Sequence, residues 1–201
     1  MYNRLSIIII AIMSLCSYGI CQEETQQDTT VTQTSPFGGF AGPVFKYTST
    51  NSEMGMMFGG HAAMMVNEKY GVGIGSYGLT GNVDETDENG DEYELFTSMI
   101  GLEIHHVNEP GKLVHWMGTL FAGRGKVRIE PKYHDLGLGS KSDSYFILSP
   151  SAHIELNITP VLMLNGGIGF CMAMGVDDKI GVTGKDLSGL TISTSLVIGW
   201  F

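Results

Sequence analysis

The segment Ser151-Ala152-His153-Ile154-Glu155 alternates a nucleophile, a base and an acid with apolar residues, so that all three share one face of an extended chain. That is the residue set of acyl transfer, which further needs a hydrogen-bonded chain through the three and an oxyanion hole. Glu103, His105 and His115 lie in neighbouring segments with the same alternation and project, like His153 and Glu155, to a common side. Imidazole and carboxylate together suit zinc, but no short-range ligand spacing marks a metal site. A hydrogen-bonded polar cluster, structural or proton-sensitive, is the plainer reading of Glu103, His105, His115, His153 and Glu155.

Other motifs carry less. Gly73-Ile74-Gly75-Ser76-Tyr77-Gly78 matches a dinucleotide fingerprint by letter, but that mechanism needs a tight turn opening a helix, and here the glycines run inside a strand-like alternation. Asp84, Glu85, Asp87, Glu88, Asp91, Glu92 and Glu94 form an acidic stretch. Setting Gly90 at the turn position of a calcium loop puts Phe96 where the bidentate carboxylate belongs, so the loop motif fails. Weak surface cation binding at Asp84, Asp87, Asn89 and Asp91 stays open beside a merely solvated loop.

The elements that position these residues are strands. The 201 residues are 43% apolar and only 16% charged, with 28 glycines and a net charge of −10. So few basic residues, spread along the chain, exclude the clustered positive charge of a nucleic-acid binder. Residues 1–21 read as a secretory signal peptide: Arg4, an apolar run from Leu5 to Leu15, then Gly19-Ile20-Cys21. A lipoprotein cut before Cys21 is the competing reading. Removing Arg4 sharpens the net charge to −11, and Cys171 is then the only cysteine, so no intrachain disulfide is expected. Residues 22–35 are polar and aperiodic, a disordered periplasmic lead-in to a domain at 36–201.

Within that domain, apolar residues alternate with small or polar ones over eight stretches: Phe37–Thr48, Met54–Asn67, Tyr70–Thr80, Tyr93–Val107, Leu113–Val127, Ser144–Asn157, Val161–Met174 and Gly189–Phe201. In the last, Leu190, Ile192, Leu196, Ile198 and Trp200 share one face. Connections alternate between short (Asn67–Lys69, Asn108–Lys112, Ile158–Pro160) and long and polar (Gly81–Glu92, Arg128–Asp143, Gly175–Ser188). Short turns at one end, long loops at the other and spans of about 9–11 residues are the layout of a transmembrane barrel. An even strand count returns both termini to the short-turn side. Pro160–Val176 is uncharged and competes as a transmembrane helix, but it contains four glycines and Asn165 and is short for a span.

This organisation resembles the small outer-membrane β-barrels of Gram-negative bacteria, of the OmpX and OmpA transmembrane type, over Phe37 to Phe201. The aromatic ending Trp200-Phe201 is similar to the signal read by the barrel-assembly machinery, although here Trp200, not Phe201, carries the apolar phase. The fold expected is all-β, an eight-stranded antiparallel up-and-down transmembrane β-barrel. With apolar faces outward, His61, Glu103, His105, His115, His153, Glu155 and Asn165 project into a lumen only wide enough for side chains to fill it.

The resemblance implies a non-enzymatic, structural, membrane-integrity or surface-interaction role in the cell outer membrane, without cofactors. The partners it implies are outer-membrane lipids, lipopolysaccharide (through Arg124, Lys126 and Arg128) and the barrel-assembly machinery, with no nucleic acid and a monomeric state. Some small barrels that modify lipid A use Ser, His and Glu, but their substrate lies outside, and Ser151, His153 and Glu155 point in. Two further readings are a narrow pore or hydrophobic-solute path, suggested by the Met-rich strands (Met54, Met56, Met57, Met64, Met65, Met163, Met172, Met174), and a secreted soluble lipocalin-like barrel.

Overall fold

The computed structural model describes residues 37–50, 53–79, 83–86, 92–131, 141–176 and 183–200. They belong to the compact unit Thr34–Phe201. The leader and lead-in at 1–35 lie outside the described residues.

Nine strands follow in order: β1 (Phe37–Thr50), β2 (Glu53–Val66), β3 (Tyr70–Leu79), β4 (Val83–Thr86), β5 (Glu92–Asn108), β6 (Val114–Pro131), β7 (Lys141–Thr159), β8 (Leu162–Met174) and β9 (Gly189–Trp200). Every pairing is antiparallel. The order β3-β2-β1-β9-β8-β7-β6-β5 closes on itself because β3 also pairs with β5, Tyr70 opposite His106 through Gly78 opposite Ser98. The result is a closed eight-stranded up-and-down barrel, with β4 as a short extra strand along β5 beyond the end of β3. Closure removes the long exposed edge and lets each barrel strand pair its backbone with a neighbour on both sides. The uncharged run Leu162–Met174 is strand β8, so its glycines sit in a sheet and not in a helix. Among the described residues no helix is long and apolar enough to cross a membrane.

The sequence periodicity recovers all eight barrel strands and misses two features. β4 forms in a segment read as loop, and β6 and β7 extend to Pro131 and back to Lys141. Backbone pairing continues there without an apolar phase, Glu94 opposite Glu130 and Ile129 opposite Lys141, so alternation carries no trace of it. Hydrogen bonding along a ladder does not depend on side-chain polarity.

Both described ends of the chain, Phe37 and Trp200, lie at the end with the short turns, as an even strand count requires. The β2–β3 turn there is tight: Asn67 and Glu68 both have positive φ (52° and 59°), and Lys69 N–H donates to Val66 O at 3.2 Å. Such a left-handed pair matches the twist of the strands it joins. The β5–β6 turn is held from β7, where Asn157 Nδ2 donates to Pro110 O (3.0 Å) and Lys112 O (2.9 Å).

The phase of the strands settles which side faces out. On β2, Met64 is 69% exposed and Met65 0%; on β9, Ile198 is 65% exposed and Val197 0%. Every barrel strand presents large apolar residues outward, among them Phe45, Phe58, Ile74, Leu102, Leu120, Ile154, Ile168 and Ile192. Near the short-turn end Tyr70, His106 and Trp116 adjoin along this outer surface, His106 tilted to Tyr70 and edge-on to Trp116, with ring centroids 5.1 and 5.9 Å apart. The interior is filled in layers. One apolar cluster, Phe40, Ala63, Met65, Val107, Met117, Met163 and Val197, closes the short-turn side. A second includes Val44, Met57, Met99, Phe121, Tyr145 and Ile147, and Leu187 of the β8–β9 connection joins it.

Candidate functional site: the polar core of the lumen

Between and beside these apolar layers the lumen holds buried polar groups on β2, β3, β5, β6 and β7. Glu103 (β5) is 1% exposed, and a carboxylate so far from water must be matched by donors or charge. Tyr77 OH donates to its Oε1, His61 Nδ1 lies 3.1 Å from its Oε2, and His105 Nε2 lies 3.3 Å from the same oxygen. The strand register explains the meeting. Glu103 faces Gly73 and His61 faces Gly75 on the intervening β3, so only hydrogen atoms stand between β2 and β5. A Cβ on Gly75 would sit 2.5 Å from Glu103 Oε1 and 2.7 Å from the Tyr77 hydroxyl. The glycines that imitate a nucleotide fingerprint therefore make room for this network.

The five residues grouped from sequence all face inward, but they do not form one hydrogen-bonded cluster. Glu103 and His105 join His61 and Tyr77. His115 and Glu155 form their own pair, directly opposite each other on β6 and β7, with Nε2 to Oε2 2.9 Å. His115 Nδ1–H donates to Lys112 O at 3.1 Å, because a carbonyl can only accept. The proton between Nε2 and the carboxyl must then come from an imidazolium or from a carboxylic acid, and the pair is neutral as a unit in either form. It borders a cavity of about 490 Å³ at the short-turn mouth, shared with Phe40, Met65, Met117 and Met163.

His153 lines the small inner cavity with His61 and Glu103, but its hydrogen bond goes elsewhere. Its Nε2 lies 2.9 Å from Ser151 Oγ, while Ser151 Oγ directs its hydrogen to Thr119 O at 3.5 Å. Glu155, the acid of the set, is bonded to His115 and not to His153. Ser151, His153 and Glu155 share a face, as expected, without forming the hydrogen-bonded chain that acyl transfer requires.

Sequence reasoning missed Tyr77, Lys46 and Thr119. Lys46 places its Nζ 3.5 Å from the Tyr77 ring centroid and 5.6 Å from that of Phe121. Its signal was strand phase, since it continues the inward series Phe40 and Val44. Thr119 Oγ1 lies 3.1 Å from His105 Nδ1. Asn165 is buried facing the lumen. Arg124, Lys126 and Arg128 all lie exposed on the outer face of β6. Of the proposed cation loop, Asp84 falls on β4, and Asp87, Asn89 and Asp91 lie outside the described residues.

No protein-family model matches the chain, and no curated protein matches it. Solved structures do match in fold. The outer membrane protein OprG from Pseudomonas aeruginosa superposes with a TM-score of 0.56 at 10% identity, covering 81% of this chain and 93% of that one. The N-terminal β-barrel domain of Pseudomonas aeruginosa OprF matches at 0.54 and 8% identity, over 82% and 98% of the two chains. A major outer membrane protein from Thermus thermophilus matches at 0.54 and 11% identity, over 81% and 99%. At such identities the likeness is one of fold.

Proposed function

We propose that this chain is a non-enzymatic outer-membrane β-barrel of the Gram-negative type, with a structural, membrane-integrity or surface-interaction role exercised through its long-loop end. The observation that carries this reading is the outer girdle of large apolar side chains, present on all eight strands of a closed barrel with its buried polar groups turned inward. A water-soluble barrel needs the opposite polarity. That OprG and the Thermus protein are outer membrane proteins supports the location. In this reading the leader directs export, the basic residues Arg124, Lys126 and Arg128 meet lipopolysaccharide phosphates, and the barrel-assembly machinery inserts a monomer.

Fractionation and gel migration test it. The chain is expected in the outer-membrane fraction and to migrate differently folded and boiled. Recovery from the soluble periplasm with no heat-dependent shift would sink the reading and favour a lipocalin-like barrel.

The mouth cavity of about 490 Å³ favours one second reading, entry of a small apolar solute from the short-turn side. Met65, Met117 and Met163 stand across its inner end, so planar bilayers containing the folded chain are expected to stay silent. Steady single-channel conductance would replace the structural role by a pore.

A further inference from the structure

We propose that His61, Glu103 and His105 form a binding site for a divalent transition metal of the zinc class, tying β2 to β5 inside the lumen. The proposal depends on the interior of the barrel and not on where the barrel resides.

One ligand atom from each residue lies within 4.8 Å of the others. Ligands about 2.0–2.1 Å from a tetrahedral zinc stand about 3.3–3.4 Å from one another. Glu103 Oε2 lies 3.1 Å from His61 Nδ1 and 3.3 Å from His105 Nε2, close to those tetrahedral edges. The donor set, two imidazoles and one carboxylate, is one that zinc and its neighbours in the first transition row accept.

Hydrogen bonding alone leaves this cluster unexplained. His105 is 1% exposed, and its Nε2, although within ion-pair distance of Glu103, lies off the geometry a hydrogen bond needs and has no other partner. A buried nitrogen in that state is costly unless something else partners it. Its opposite nitrogen is already engaged: Nδ1 lies 3.1 Å from Thr119 Oγ1, and with that hydroxyl accepting the Nδ1 proton, Nε2 is left free to ligate. Glu103 is arranged likewise. Tyr77 takes Oε1 and Oε2 is left to the imidazoles. His61 also has an unpartnered Nε2 and lines a cavity of about 20 Å³ together with Glu103 and Thr119. That volume suits one water beside His61 and Glu103, two of the three ligands, where a fourth ligand would stand. Lys46, on the same cavity, turns its Nζ to the Tyr77 ring face.

The untagged full-length chain, folded in detergent micelles with one equivalent of Co²⁺, tests the proposal. Wild type is expected to develop the intense visible absorption of tetrahedral Co²⁺, to lose it on adding Zn²⁺, and to unfold at higher temperature with Zn²⁺ than with chelator. His61→Gln and His105→Gln are expected to abolish the absorption, while His115→Gln, at the separate mouth pair, keeps it. If the ligand variants do not fold, Thr119→Val retains all three ligands and is expected to weaken Co²⁺ binding by about 10–100-fold. Folded wild type without absorption and without a Zn²⁺-dependent thermal shift overturns the site. So does absorption that survives in folded His105→Gln or is unaltered in affinity by Thr119→Val.

Discussion

His115 and Glu155 face each other across neighbouring strands, Nε2 to Oε2 2.9 Å, at the inner edge of the short-turn mouth. Their bond is buried but borders a cavity that admits water, which sets its worth below that of a sealed ion pair. His115→Ala leaves the carboxyl unmatched and is expected to cost about 3 kcal/mol, the lower end for breaking a buried pair. Denaturant unfolding in micelles measures it. A double-mutant cycle with Glu155→Ala should show coupling above about 1 kcal/mol; additive losses would mean that the two residues act separately.

Gly75 is a packing requirement of the Glu103 network. Gly75→Ala places a methyl group against Glu103 Oε1 and the Tyr77 hydroxyl and is expected to destabilise by about 1–3 kcal/mol. Gly166, whose added Cβ would meet nothing within 4 Å, is the internal control: Gly166→Ala should leave the unfolding midpoint nearly unchanged.

Leu102 separates a lipid-facing surface from a wet one. It is 60% exposed on β5, and in water Leu102→Arg would fall within about 0.5 kcal/mol of neutral. In lipid vesicles the same change is expected to cost about 2–4 kcal/mol. Equal stability of the two proteins in vesicles would remove the apolar girdle as an argument for membrane insertion.

Met117 lines both the mouth cavity and the inner polar one, and so forms a wall between them. Met117→Ala is expected to lose about 2–5 kcal/mol through the lost packing and the cavity it leaves. Joining the two cavities should also speed the exchange of Co²⁺ in a chain already loaded, measured by its displacement with excess Zn²⁺. Unchanged exchange would mean that the ion enters by another route.

Cys171 reports on folding by itself. Its thiol is buried in the upper apolar cluster, so maleimide should label it in unfolded chain and spare it in folded barrel, as read by peptide mass. Rapid labelling of Cys171 in the folded state would contradict the inward phase of β8.

The strands were legible because each carries a two-residue period that only a sheet with two different faces explains. Leu190 through Trp200 shows it most plainly. β4 was not legible, since Val83–Thr86 joins the sheet by backbone pairing alone. The inward direction of Glu103, His105, His115, His153 and Glu155 followed from the same period. Their partners did not, because which inward residues meet is set by strand register and order, and no local pattern records either.

The alternation and the turn spacing, by themselves, determined that this chain makes eight antiparallel strands with one apolar face each, since no other regular structure satisfies a period of two. Strand pairing decided the rest. Only when β3 pairs with β5 does a row of glycines come between His61 and Glu103, bringing residues 42 positions apart to 3.1 Å. The β6–β7 register sets Glu155 opposite His115, while His153 bonds Ser151 two residues away on its own strand, so that what spacing alone had grouped as one cluster is divided.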